Sequence, residues 1–200
     1  MTAPAPRRRG RRPAGSDTRT EIVDAARDEF AERGYDATSL RAVARRAGVD
    51  AALVHHYFAD KAELFAACMS LPVNPRVVLD AVVAGDVSSV GERVLRFFLA
   101  TWDSPEGRPR IAALVSAAST HEDAARTLRE FLAREVFGRV VGSLGSDRPE
   151  VRGALVASQL VGLAMTRYVV GVPPLVDAPA EDVARWIGPT VQRYLVGTLD

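Results

Sequence analysis

Residues 38–61, TSLRAVARRAGVDAALVHHYFADK, constrain the fold of this chain more than any other stretch. The segment reads as two short helices around a tight turn, with a third helix starting at once. Leu40, Val43, Ala44 and Ala47 recur at helical spacing and give the first helix one apolar face. Thr38 is placed to cap it, because its hydroxyl oxygen can accept a hydrogen bond from a first-turn amide. Gly48 follows, where left-handed backbone ends a helix without steric cost. Asp50 is placed to cap the second helix, whose inner face is expected to carry Leu53, Val54, Tyr57 and Phe58. Asp60 and Glu63 have the capping-box spacing of a third start. Two helices about a glycine-containing turn describe a helix-turn-helix, which lays its second helix in the DNA major groove.

The residues in front complete a three-helix unit. Thr18 and Glu21 have capping-box spacing, and Ile22, Val23, Ala26 and Phe30 form an apolar stripe. Gly34 is a natural stop, after which Tyr35 can fold back on the helix. From about Arg19 to Phe65 the ordered pattern AA...F.ERGYDATSLRAVARRAGVDAALVHHYF..K..LF resembles the N-terminal domain of TetR-family transcriptional regulators. The other reading of these residues is a plain three-helix bundle with a coincidental turn. The resemblance implies an all-α chain, with an N-terminal three-helix helix-turn-helix DNA-binding domain and a C-terminal helical regulatory and dimerisation domain. It also implies that the positions of Arg41, Ala52, His55, His56, Tyr57 and Lys61 face DNA. His55 stands where the family more often has tyrosine, so the base contact made there is left open.

Net charge is only +1 over 200 residues, but its distribution is uneven. Arg7, Arg8, Arg9, Arg11 and Arg12 give residues 1–15 a charge of +5, and the rest of the chain sums to −4. Prolines and glycines punctuate that arm, so residues 1–16 are expected to be disordered in the free protein and to reach phosphates or a minor groove. A solubilising tail is the other reading. The single cysteine, Cys68, excludes an intramolecular disulfide framework and fits a reducing cytosol, hence a cytoplasmic protein. It reads better as a small buried hydrophobe than as a redox sensor. No apolar run long enough to span a membrane occurs, and no apolar stretch follows the basic N-terminus as a secretory signal requires.

Residues 17–64 are read as the DNA-binding domain and 65–200 as the effector-binding and dimerisation domain. A connecting helix over 61–71 ends at Pro72 and Pro75. Helical patterns then cover 75–84, 89–102 and 108–119, a long helix capped by Thr120 and reaching 144, then 153–172 and 181–196. In 153–172 the strongly polar residues are Gln159 and Arg167 alone, so this helix is expected to be buried on every side, one of them against a second subunit. Gly153, Ala157, Val161 and Ala164 are small enough for close approach. With Trp186, Val191 and Tyr194 on the last helix they describe half of a four-helix homodimer interface, which the resemblance also implies. A monomer's central core helix is the alternative.

Particular side chains suggest the chemistry. Arg41 can pair bidentately with a guanine edge, and Ala51 or Ala52 can pack on a thymine methyl. Thr38, Ser39 and Tyr57 offer hydroxyls to phosphate oxygens, and Lys61, the only lysine, offers its ammonium beside the amides of a helix N-terminus. The resemblance implies an effector cavity in the helical half. Its expected wall is Phe97, Phe98, Trp102, Phe131, Met165 and Tyr168, with His121, Gln159 and Arg167 as polar handles. His55 and His56 point about a hundred degrees apart on a helix and cannot share one metal ion. His121 and Cys68 have no companions at ligand spacing, and neither a phosphate loop nor a nucleophile elbow is present. No metal, cofactor or membrane partner is therefore expected, and the chain is not read as an enzyme. The reading is a homodimeric repressor that binds a palindromic double-stranded operator and is released by a small, largely apolar effector acting through the connecting helix. A ligand-independent DNA-binding protein with a filled regulatory core is the alternative, and a catalyst built around His121 a more distant one.

Overall fold

The computed structural model describes residues 16–72 and 75–199, so the basic arm lies outside it but for Ser16. Every regular element among the described residues is helical. The N-terminal unit comprises α1 (Ser16–Ala37), α2 (Leu40–Ala47), α3 (Ala51–Tyr57) and α4 (Lys61–Cys68). α1 breaks at Gly34, whose φ of 80° carries the chain out of helical backbone. The turn folds Tyr35 into the core, where it is fully buried and stacked on Phe30 with ring centroids 5.8 Å apart. Phe65 and Phe131 meet the same ring edge-on at 5.3 and 5.4 Å. Around this aromatic group lie Ile22, Val23, Ala26, Val43, Val54, Phe58 and Leu64.

The caps correct one sequence expectation. Ser39 caps α2, accepting a hydrogen bond from Ala42 N, whereas the Thr38 hydroxyl donates inward to Gly34 O at 2.8 Å. Thr38 is only 3% exposed and ties the α1 terminus to the start of α2. Gly48 ends α2 in left-handed backbone at φ 67°. Asp50 accepts from Ala52 N, and Asp60 accepts from Glu63 N while Glu63 accepts from Ala59 N. The inner face of α3 is Val54, continued by Phe58, with Leu53 and Tyr57 only half-buried. α4 runs through residue 64, and its Phe65 and Cys68 belong to the same core, so the helix crosses the boundary drawn from sequence.

The second half contains α5 (Pro75–Val83), a 3₁₀ turn at Val87–Ser89, α6 (Val90–Trp102), α7 (Gly107–Thr120), α8 (Glu122–Phe131), α9 (Gly138–Ser143), α10 (Pro149–Ala164), the short α11 (Pro173–Val176) and α12 (Ala180–Val196). Two π-helical turns interrupt what sequence periodicity presents as single helices, at Leu132–Phe137 between α8 and α9 and at Met165–Val169 after α10. Thr120 does not cap α8; its hydroxyl donates back to Ser116 O at 2.9 Å, and His121 makes the bend instead.

α6 and α12 cross at their glycines. A Cβ on Gly91 would lie 2.5 Å from Gln192 N and against Gly188 O, both backbone atoms that cannot swing aside. The Gln192 side chain bridges the crossing, accepting from Gly91 N at 2.7 Å and donating to Val87 O at 2.8 Å. Gly91→Ala is therefore expected to destabilise the protein by about 1–3 kcal/mol, since overpacked helices must separate. Urea unfolding monitored by circular dichroism checks this; an unchanged midpoint would mean that the crossing is looser than the geometry requires.

Candidate nucleic-acid interface and ligand cavity

The exposed residues at α2 and α3 are those available to a nucleic acid. Ser39, Arg41 and Arg45 lie exposed at α2, and Ala52, His55 and His56 on α3. The neighbouring Arg46 is committed elsewhere, held by Glu32 and by Glu29 at 3.1 Å. Asp50 and Asp60 cap the helices that follow them and order their first-turn amides. Ala51 and Tyr57 are half-buried, and the Tyr57 ring meets the His56 ring edge-on at 5.2 Å.

Two residues expected at a DNA surface are used internally. The Thr38 hydroxyl is buried, as described above. Lys61 donates to Tyr35 O at 2.8 Å and Asp36 O at 3.3 Å, and its ammonium sits 4.4 Å from the Tyr35 ring centre. Burial holds its pKa below the usual lysine range. Lys61 thus fastens α4 to the end of α1, with only part of its donor capacity left toward solvent.

The helical half contains a cavity of about 170 Å³. Of the residues expected around an effector, Phe97, Phe98, Trp102 and Phe131 line it, together with Val161 and Ala164. Apart from Thr101 and Phe137, the rest of its wall is aliphatic, including Leu71, Val94, Leu128 and Val140. Met165 and Tyr168 pack beside Trp102 without reaching the cavity. His121 is exposed at the α7–α8 bend, and Gln159 lies on α10 away from the lining. Arg167 is no handle for a ligand. Its side chain is 3% exposed and forms a fork with Asp103 at 3.0 and 2.9 Å, while also donating to Leu175 O and Ala178 O. Tyr168 joins through its hydroxyl, 3.1 Å from Asp103. These bonds clamp the π turn after α10 onto the end of α6. Sequence could not have named the aliphatic lining, because nothing in a helical stripe separates a residue facing a void from one facing a neighbour.

α8 and its π turn stand between cavity and DNA-binding unit. Leu128, Phe131, Leu132 and Val136 face the cavity. From the same run Thr127 donates to Phe30 O at 3.3 Å, Glu130 accepts from Asp36 N at 3.1 Å, and Arg134 pairs with Asp36 at 3.1 Å. Glu135, itself buried, accepts from the Tyr35 hydroxyl at 2.9 Å and pairs with Arg139 at 2.6 Å.

The residues expected at a subunit interface divide. Gly153, Ala164 and Val191 are buried within the protomer; a Cβ on Gly153 would meet Phe137 at 2.8 Å. Their small size serves packing inside one chain. Tyr194 is half-buried, its carbonyl bound by Arg152 at 2.8 Å. Ala157 is half-buried, whereas Val161 is 48% and Trp186 60% exposed. α10 is thus not enclosed on every side in the protomer: Val151 and Val161 are left exposed.

Cys68 is buried, and desolvation pushes its thiol pKa up to about 12, so it remains protonated. No cluster of three or more His, Cys, Asp or Glu side chains suited to a metal occurs among the described residues, and none of their helices is long and apolar enough to cross a membrane.

Two family models match the chain. Residues 22–68 match the bacterial regulatory proteins of the tetR family, and residues 88–195 match the tetracyclin repressor-like C-terminal domain, which alone spans more than half of the chain. The transcriptional regulator BetI of Paraburkholderia phymatum is 27% identical over 163 residues, covering 72% of this chain and 76% of BetI. A TetR-family regulator of Streptomyces coelicolor is 38% identical, with 93% of this chain and 98% of that one covered and a TM-score of 0.47. NalD, the secondary repressor of the MexAB-OprM multidrug efflux pump in Pseudomonas aeruginosa, is 20% identical, with 92% and 98% covered and a TM-score of 0.47. With a helix-turn-helix unit at one end and a matched helical domain at the other, the chain belongs to the TetR family of DNA-binding transcriptional regulators, which are not enzymes.

Proposed function

We propose that this regulator is a repressor that binds a palindromic operator as a homodimer and is released when a small apolar molecule fills its cavity. The observation that carries the reading is the shared position of Phe131. Its ring lines the cavity and also packs against Phe65 and Tyr35 of the DNA-binding unit, at 4.6 and 5.4 Å between ring centres. A ligand that displaces Phe131 or Leu128 must move α8, and α8 with its π turn holds α1 through Thr127, Glu130 and Glu135. Leu71, just beyond α4, lines the cavity as well, so the connecting helix gives a second route. Residues 17–64, extended through the end of α4, act as the DNA-binding unit, and the remainder binds effector and partner. A dimer must meet two half-sites about one helical turn apart, so a small pivot of each unit weakens binding. Titrating a labelled operator with protein, with and without saturating apolar ligand, tests this: release is expected, and unchanged affinity with the cavity occupied would leave a ligand-independent DNA-binding protein.

Within the groove, Arg41 is assigned to a base edge, Ala52 to a thymine methyl, and His55, His56, Ser39 and Tyr57 to the flanking contacts. Arg41→Ala is expected to weaken operator binding by about 1–3 kcal/mol and to relax preference at one base pair per half-site. Binding to operators substituted one base pair at a time checks this. A loss that is equal on every sequence would make Arg41 a phosphate contact instead.

A further inference from the structure

We infer that the cavity takes an uncharged hydrocarbon, or its monohydroxyl derivative, of about six to ten heavy atoms. This rests on the effector reading above and narrows it to a chemical class. No charged side chain lines the cavity, and its polar-bearing side chains are Thr101, whose hydroxyl already donates to Phe97 O at 2.8 Å, and the Trp102 indole. Thr101 keeps one acceptor lone pair, and the Trp102 indole N–H is the one donor carried by the lining. A ligand hydroxyl can donate to Thr101; a carboxylate finds no cation in the lining to pair with.

The nearest charges do not change this. Asp103 and Arg167 are absent from the lining; Asp103 accepts from Arg167, Arg108 and the Tyr168 hydroxyl, and Arg167 donates its remaining bonds to the carbonyls of Leu175 and Ala178. A charged ligand would have to break that cluster or remain bare in an apolar void, and a bare buried charge is the costlier state by far. The volume sets the size. An apolar cavity of about 150 Å³ in another protein stays dry and binds benzene, and 170 Å³ admits a somewhat larger molecule. Aromatic walls at Phe97, Phe98, Trp102 and Phe131 favour a ring, since ring faces and edges pack on one another beyond simple area burial.

The chain has two tryptophans, one on the cavity wall and one at the exposed edge of α12, so Trp186→Phe leaves Trp102 as the reporter. The probes are n-propylbenzene, 2-phenylethanol, phenylacetate and 2-phenylethylammonium, which share one ring and differ in charge and hydrogen bonding. Trp102 emission is read in the variant, and melting temperature and operator binding in the unsubstituted protein. Propylbenzene and phenylethanol are expected to shift Trp102 emission and to raise the melting temperature by about 5–10 °C at a hundredfold excess over Kd. The two ions at the same concentration should do neither. Thr101→Val, nearly isosteric, should weaken phenylethanol about five- to tenfold and leave propylbenzene unchanged. Phenylacetate or phenylethylammonium binding as tightly as propylbenzene would overturn the assigned class, as would failure of every probe to shift either signal. If propylbenzene binds but operator affinity does not change, the ligand class stands and effector control falls.

Discussion

Trp186→Arg is expected to leave a folded monomer whose operator affinity has dropped at least about a hundredfold. The side chain is 60% exposed in the protomer, so its replacement removes little internal packing. In the proposed dimer it is covered together with Val161, and an arginine there is an unpaired charge in a desolvated contact. The operator loss follows from linkage: two half-sites engaged by one molecule gain about 10²–10⁴ in avidity, and a monomer forfeits that although every groove residue is intact. Light scattering gives the mass, and fluorescence anisotropy on operator DNA gives the affinity. A dimer with full affinity would move the interface off α12.

Tyr35 carries the largest expected effect on stability. Its ring is fully buried among Phe30, Phe65 and Phe131, and its hydroxyl meets Glu135 across the two halves of the chain. Tyr35→Ala is expected to cost about 3–5 kcal/mol, the range for emptying a large aromatic site. Tyr35→Phe keeps the ring and removes the donor, leaving the buried Glu135 carboxylate one partner short, with an expected cost of about 1–3 kcal/mol. Guanidinium unfolding of both variants separates ring from hydroxyl. Equal losses would mean that the inter-domain hydrogen bond carries the whole effect.

The helix-turn-helix was legible in the sequence because its signals are local. Gly34, Gly48, Asp50 and Asp60 each end or start a helix through their own backbone or side chain, and apolar spacing does the rest. The exceptions arose where tertiary partners decide. Thr38 and Ser39 are both good caps, and only the approach of the α1 carbonyls draws the Thr38 hydroxyl inward. Lys61 reads as a phosphate anchor until the α1 terminus is placed beside it. In the helical half, the resemblance led to four aromatic residues that line the cavity, Phe97, Phe98, Trp102 and Phe131, but not to the role of Arg167, because Asp103 is distant in sequence. Small residues on α10 pointed to close approach correctly as chemistry, yet Gly153 packs on Phe137 of its own chain. The two π turns also escaped notice, since one extra residue in a helix leaves no compositional mark.

Selection of bound sequences from random double-stranded DNA by the full chain tests the central claim most directly. A dimer that presents Arg41, Ala52, His55 and His56 from two symmetry-related units should enrich an inverted repeat, its half-site centres about 10 base pairs apart or a multiple of that. Adding n-propylbenzene before the selection should abolish the enrichment. A single unrepeated half-site would contradict the dimeric operator complex, and an inverted repeat recovered equally with the cavity filled would contradict release by an apolar effector.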